Sequence, residues 1–424
     1  MAFKLNRVVF ICVALLTTFV SFWLYFKLFL RFSDGEISQT GDTDFPVVEG
    51  TPSGAPADLT LRFEEDGTFR IVIFEDLHYG EGTYIPHTEF VSGLTLRIAE
   101  GLVWGSVQDI NSTRVMNSIL DVESTQLVIL NGDLIAGEET YLENSTAYID
   151  RIVAPLVERG IPWASAYGNH DSNFNLSRPA LFERESSYPL SLTQSAPLPE
   201  DAGITNFYLP VYPSDSSINT PALMLWFFDS RGGKKFQVPS SSEDVDIPEV
   251  VHDSAIAWFK ETSVRIAANY NKIIPSLAFF HIPPSTMIQQ QSQGVDPTKE
   301  PGINDDVPVG AQQGDEAFIS ALLKTPGLLA TFSGHDHGND WCYKWAGESV
   351  HAGQSNMGLF HCFGRHSGYG GYGDWVRGSR QVLMKEDSLF EEIETWIRLE
   401  DGSISGSVVL NATYGEDTYP VVER

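Results

Sequence analysis

The 424-residue sequence is poor in cysteine and in positive charge, and each scarcity excludes something. There are three cysteines, and one of them, Cys12, lies in an apolar N-terminal stretch. Cys342 and Cys362 alone remain for the body, too few thiolates for a zinc–thiolate site. They either form one disulfide, closing a loop of about twenty residues and worth ~3 kcal/mol in the loop-entropy model, or stay as two buried thiols. Lysine and arginine number 27 against 56 acidic residues, a formal charge of −29. Nucleic acids and anionic membrane surfaces bind through basic residues, so neither is expected as a primary partner. A phosphate-bearing substrate stays open, provided cations sit in the site. No glycine-rich stretch runs into Gly-Lys-Ser/Thr, so no P-loop is indicated. There is no internal repeat.

Long apolar runs are also missing, with one exception. Val8–Phe26 is uncharged throughout, and ~20 residues span a bilayer. Bulky residues from Phe22 to Phe26 suit a signal-peptidase site poorly, so the segment reads as an uncleaved signal-anchor; a cleaved signal, giving a secreted protein, is the alternative. Lys4 and Arg7 nearly balance Lys27 and Arg31, so flanking charge does not orient it. Four sequons, at Asn111, Asn144, Asn175 and Asn411, favour a lumenal or extracellular body in the secretory pathway. Residues 33–58 are rich in Gly, Pro, Ser, Thr and acids and read as a tether. The expected division is a signal-anchor over 1–31, a flexible linker over 32–58 and one catalytic domain over 59–424.

From Leu59 onward the pattern is short apolar runs ending in polar clusters: residues 69–76, 126–133, 162–171, 222–230, 274–281 and 328–337. Such runs between longer helix-capable segments predict buried central strands of an α/β protein. Helices are expected at Thr113–Glu123, Asn144–Glu158, Asp253–Tyr270 and Asp315–Leu323. A closing hairpin is expected around Asp401-Gly402. The polar, Pro/Gly-rich stretch 289–314 suggests a functional loop or lid. All six runs end in residues able to bind metal or ligand, and ligands of open α/β sheets gather at the carboxyl ends of strands.

Those ends supply Asp76, His78, Asp133, Asn169, His170, Asp171, His281, His335 and His337. Aspartate, asparagine and imidazole without thiolate suit Mn, Fe, Zn or Mg. Their number exceeds one ion's needs and matches two sites sharing a carboxylate. Two ions ~3.5–4 Å apart form the clamp used for in-line displacement at phosphorus. Residues i and i+2 of a strand share a side, so Asp76/His78 and His335/His337 are each expected to aim at one pocket, with Asp336 pointing away. Glycines before Asp133, Asn169 and His335 permit tight turns. A single histidine of this kind is more often a satisfied structural imidazole; the full set in order is not explained that way.

The ordered blocks Asp-X-His, Gly-Asp, Gly-Asn-His-Asp, a lone His and Gly-His-X-His resemble the calcineurin-like metallophosphoesterase superfamily. DLHYG, GNHD, FFHIP, GHDHGND-WC and CFGRHSGYGGYG narrow it to a purple-acid-phosphatase-like eukaryotic subgroup with fungal members, over roughly residues 69–410. The resemblance implies a four-layer α/β/β/α sandwich with mixed sheets. It implies that Asp76, His78 and His337 bind one divalent ion (Mn, Zn or Fe), that Asn169, His281 and His335 bind the other, and that Asp133 bridges. It further implies hydrolysis of phosphate monoesters by a hydroxide formed on the metal pair. His170 would assist the leaving group, oriented by Asp171; phosphodiester hydrolysis at the same site is the alternative.

Two departures stand out. Purple acid phosphatases carry a colour-giving tyrosine three residues after the bridging aspartate, where this chain has Ala136, and they lack the histidine found here at His78. A colourless site is expected. After His281 the chain reads IPPST where close relatives continue with a Leu-Pro-Glu type sequence, so the pocket around the site is expected to differ. His87, His252, His351 and His361 are expected to be structural, and so are Arg365 and His366, although these two are the best placed to line a substrate pocket.

Overall fold

The computed structural model describes residues 59–82, 105–238, 245–345 and 357–423. The proposed membrane segment and tether lie outside the described residues, as do His87 and His351. Among the described residues no helix is long and apolar enough to cross a membrane.

The predicted apolar runs are strands. They are β1 (Thr68–Phe74), β2 (Leu127–Leu130), β3 (Trp163–Ser165), β5 (Leu223–Phe227), β6 (Ser276–Phe279) and β7 (Leu328–Ser333). The others are β4 (Phe207–Val211), β8 (Cys342–Lys344), β9 (Phe360–Phe363), β10 (Gly378–Lys385), β11 (Glu392–Leu399) and β12 (Ile404–Asn411). They form two six-stranded sheets, ordered 12-11-10-1-2-3 and 4-5-6-7-9-8. Both are mixed: β1, β2 and β3 run parallel beside antiparallel β10–β12, and β5, β6, β7 and β9 run parallel between antiparallel edges.

Alternation along each strand builds the layers. Ile71 and Ile73 of β1 meet Leu225, Phe227, Leu277 and Phe279 between the sheets. Val72 and Phe74 turn to the opposite face, against α1 (Ser106–Leu120) and α2 (Tyr148–Arg159) through Val115, Ile119, Ile152 and Leu156. On the second sheet, Trp226, Phe228 and Phe280 pack on α4 (Asp253–Tyr270) and α6 (Glu316–Lys324) through Phe259, Phe318 and Leu322. Shorter helices α3 (Arg178–Ser186) and α5 (Thr286–Gln293) complete the set. The result is the four-layer sandwich that the resemblance implied.

One row of cross-strand neighbours spans the whole second sheet: Phe207, Phe227, Phe279, Phe332, Cys362 and Cys342. Adjacent rings stack with centroids 4.4, 5.3 and 5.2 Å apart. Cys342 and Cys362 end the row as a disulfide, which decides between the two readings of the cysteine pair. The row anchors β6 and β7, whose C-terminal ends carry His281 and His335.

α5 takes up the start of the polar stretch 289–314. The remainder is held in place. Gln291 donates to Asp306 O and accepts from Val309 N, and Ile303 and Val309 are buried. It is one wall of the site.

Candidate metal centre

The loops leaving β1, β2, β3, β6 and β7 converge at one end of the sandwich. Asp76 (φ 53°), His78 (φ 46°), Asp133 (φ 48°) and His335 (φ 75°) all lie in the left-handed region that side chains seldom adopt. Such strain persists where surrounding structure enforces it and clusters at functional sites. It also corrects the strand argument. β1 ends at Phe74 and β7 at Ser333, so tight turns rather than strand alternation bring Asp76/His78 and His335/His337 together. Asp336 does point away from the ligands, its Oδ1 accepting from Gly310 N at 2.8 Å.

Two glycines allow the approach. A Cβ at Gly132 would sit 2.5 Å from the His281 ring, and one at Gly168 would collide with the Asp133 carboxylate. The Gly-Asn-His backbone then wraps that carboxylate, with His170 N donating to Asp133 Oδ1 at 2.8 Å.

Asp76, His78 and His337 bring one ligand atom each into a common cluster, as do Asp133, His281 and His335. His281 Nε2 lies 2.9 Å from Asp133 Oδ2, and His78 Nε2 lies 3.2 Å from His337 Nε2. Asn169 Oδ1 is buried with no hydrogen-bond partner. His281 Nδ1 is 2.9 Å from Asn131 O and His337 Nδ1 is 3.0 Å from Tyr372 O. We assign Nδ1–H to both rings, since a carbonyl can only accept, which turns each Nε2 toward the cluster.

Charge points the same way. Burial alone would raise the Asp133 carboxyl, but the imidazoles of His281 and His170 outweigh it and hold it well below the usual range. Asp76 is likewise lowered against its burial by His337. Burial drives His78 well below the ordinary imidazole value and His335 to about 4, leaving both neutral. For His281 burial is outweighed by Asp133, and its pKa rises to about 10. Ionised carboxylates, imidazole nitrogens and an orphaned amide oxygen form the donor set of hard or borderline cations. The seven predicted residues fit a metal pair.

His170 is half-exposed beside the cluster, with Nε2 3.9 Å from Asp133 Oδ2 and Nδ1 2.5 Å from Glu138 Oε1. Burial pulls its pKa down, but Asp133 and Glu138 outweigh it and raise it to about 10. Asp171 does not orient it, contrary to expectation. The Asp171 carboxylate is fully buried and accepts from Leu134 N, Ile135 N and Gly168 N, fixing the turns after β2 and β3. Glu138 was not legible in sequence because its contact with His170 crosses two loops. Nor was Glu75. Its carboxyl receives Asn131 Nδ2 and, pushed up by burial and by the Asp76 charge, lies under Gly334 and Gly364.

Other expectations resolve as structural. Asp229 and Ser230, at the end of β5, cap neighbouring loops through Ile204 N, Arg231 N and Ile282 N. Arg365 is paired with Asp340 at 2.7 Å and bound to Val376 O, so it does not reach phosphate. His252 caps α4, and His361 is buried between Thr331 and Ser333. His366 is buried with its ring 3.8 Å from that of His337.

Comparison with known proteins places this geometry. The calcineurin-like phosphoesterase family model matches residues 69–339, well over half of the chain. The chain belongs to that family. Calcineurin-like phosphoesterases are hydrolases of phosphoric esters that use two divalent metals, and the cluster above is of a kind that could hold metal ions. Among Arabidopsis thaliana proteins, this phosphoesterase is 28% identical over 380 residues to "Probable inactive purple acid phosphatase 28", covering 82% of this chain and 84% of the other. It is 29% identical over 367 residues to "Probable inactive purple acid phosphatase 29", covering 81% and 86%. "Phosphatase DCR2" of Saccharomyces cerevisiae is 27% identical over 327 residues, covering 71% of this chain and 52% of the other. Among solved structures, a dimetal phosphatase from Danio rerio aligns with 81% of this chain and 99% of its own, at 13% identity and a TM-score of 0.47.

Proposed function

We propose that this protein hydrolyses phosphate monoesters at a dinuclear centre held by Asp76, His78, Asp133, Asn169, His281, His335 and His337. The observation that carries the reading is the buried cluster of ionised carboxylates and imidazole nitrogens with His170 at its rim. When bound, two divalent ions would neutralise phosphoryl charge and acidify water. The chain's own residues do the rest. The turns after β1, β2 and β7 hold ligand atoms in place before substrate arrives. His170, held at Nδ1 by Glu138, points its Nε2 edge into the cavity where an N–H can donate a proton to the departing oxygen. Glu138 fixes the ring, so that Nε2 rather than Nδ1 faces the substrate. The full ligand set supports activity here, although three relatives carry "inactive" in their names.

Phosphodiester hydrolysis has one observation in its favour. A second cavity of about 640 Å³ meets the main one at His170 and Glu138, giving room on both sides of the reacting phosphorus. Rates on matched aryl monoester and diester analogues separate the readings. Monoester preference of tenfold or more is expected, and the reverse order would replace the first reading with the second.

Residues 1–31 as a signal-anchor and a glycosylated lumenal body complete the proposal. The Cys342–Cys362 disulfide supports an oxidising compartment. All four sequon asparagines are partly exposed, although Asn175 Nδ2 donates to Thr140 O. Treatment of the cell-derived protein with peptide-N-glycosidase is expected to shift its mass; an unchanged mass contradicts the lumenal placement.

A further inference from the structure

The cavity over the metal-ligand cluster holds about 1070 Å³, and its lining is one-sided. Glu81, Glu138, Asp306, Asp374 and Glu400 line it, Glu138 paired with His170 and Glu400 with Arg114, against two lining cations, His170 and Arg377. That arginine is buried and committed, donating to Trp375 O and Gly373 O and lying over the Tyr369 ring at 5.3 Å. The carboxylates therefore dominate the part of the cavity beyond the ligands, where the leaving group of an ester must lie.

The same wall is aromatic. Tyr372 stacks on the His337 ring, centroids 4.0 Å apart and planes 9° from parallel, and donates its hydroxyl to Asp306. Trp375 stands 6.4 Å away at 78° to it, its Nε1 donating to Asp305 at 2.8 Å. Tyr372 is half-exposed, at 50%. Asp336 lines the cavity too. It is 6% exposed, and its Oδ2 has no partner. Crossed rings beside carboxylates attract a compact cation, because the ring faces carry negative charge density and the carboxylates add to it. A polyanionic leaving group would meet Glu81, Asp306 and Asp374, with His170 already held by Glu138 and Arg377 already occupied.

Resting on the phosphoesterase reading above, we infer that Tyr372, Trp375, Asp306 and Asp374 select phosphate monoesters whose leaving alcohol carries an ammonium group, of the choline type. The step is ordinary hydrolysis. Water adds to phosphorus, the ester P–O bond breaks, the leaving oxygen takes a proton from His170, and the proton released by the water restores His170. The products are inorganic phosphate and the ammonium alcohol.

The test starts with binding, which does not depend on turnover. Choline and 3,3-dimethylbutan-1-ol share a shape and differ by nitrogen or carbon at the centre. Titrated into the full-length protein with calorimetric detection, choline is expected to bind at least tenfold more tightly. The preference should shrink toward unity in Asp374→Asn and in Trp375→Leu. Asp374→Asn keeps the test usable if Asp306→Asn, which removes a tie between two loops, fails to fold. Equal affinities in the wild type would overturn the inference. The matching esters, phosphocholine and 3,3-dimethylbutyl phosphate, then separate the two readings. A choline preference with neither ester cleaved supports the cation wall and sinks the phosphoesterase reading. Equal kcat/KM on both esters sinks the cation wall and leaves the phosphoesterase reading standing.

Discussion

The chemistry of this protein depends on a few side chains whose charges are set by one another. His170 and Glu138 differ in what their loss should cost. His170→Asn removes the proton donor, and kcat is expected to fall by roughly 10²- to 10⁴-fold with two metals still bound. Glu138→Gln keeps the donor and weakens a charge-assisted hydrogen bond, so a smaller loss of roughly 10- to 100-fold is expected. Parallel steady-state kinetics and metal analysis check the pair; equal losses, or a fall in metal content with either, would contradict the roles given. His281 gives a pH dependence with a definite sign. Its pKa is raised to about 10 by Asp133 against its burial, so below that value a metal must displace a proton from Nε2. Apparent metal affinity is therefore expected to rise with pH, by about tenfold per unit for one displaced proton, and to be lost in acid. Metal titrations at pH 6, 7 and 8 measure it, and a flat profile would contradict the assignment of His281 as a ligand.

The elements divide the work between packing and aim. β1, β2, β3, β5, β6 and β7 are legible in sequence because each is built around a short, largely buried apolar run. The strands that sequence reading missed carry polar residues into the interior. β10 buries Ser379, Arg380 and Gln381, with the Arg380 guanidinium donating to Phe363 O, Asp340 O and Thr395 Oγ1. β4 contains Pro210, and β8 has three residues. The Arg380 guanidinium is satisfied by partners distant in sequence, which no local pattern shows. Below the site, the phenylalanine row fixes β6 and β7 to each other. Phe279→Ala would remove the centre of that row and leave a cavity between Phe227 and Phe332, costing about 3–5 kcal/mol in denaturant unfolding. A loss below ~1 kcal/mol would mean that the row does not carry the packing assigned to it.

At the scale of the whole molecule, the order of ligand blocks along the chain was legible because each follows a strand, and the sandwich gathers the strand ends at one pole. Two things were not legible: which loop groups support the ligands, and the character of the cavity. Glu138, Glu75 and Tyr372 meet their partners only after folding, and Asp171 was misread for the same reason, since adjacency to His170 in sequence did not bring its carboxylate to the ring. The central claim is that seven residues hold two ions and that both are needed for hydrolysis. Its most direct test is to titrate metal-free protein with Mn(II) while following turnover of an aryl phosphate. The account predicts that activity rises to a plateau at two equivalents per chain. No turnover at saturating metal, or a plateau at one equivalent, would contradict it.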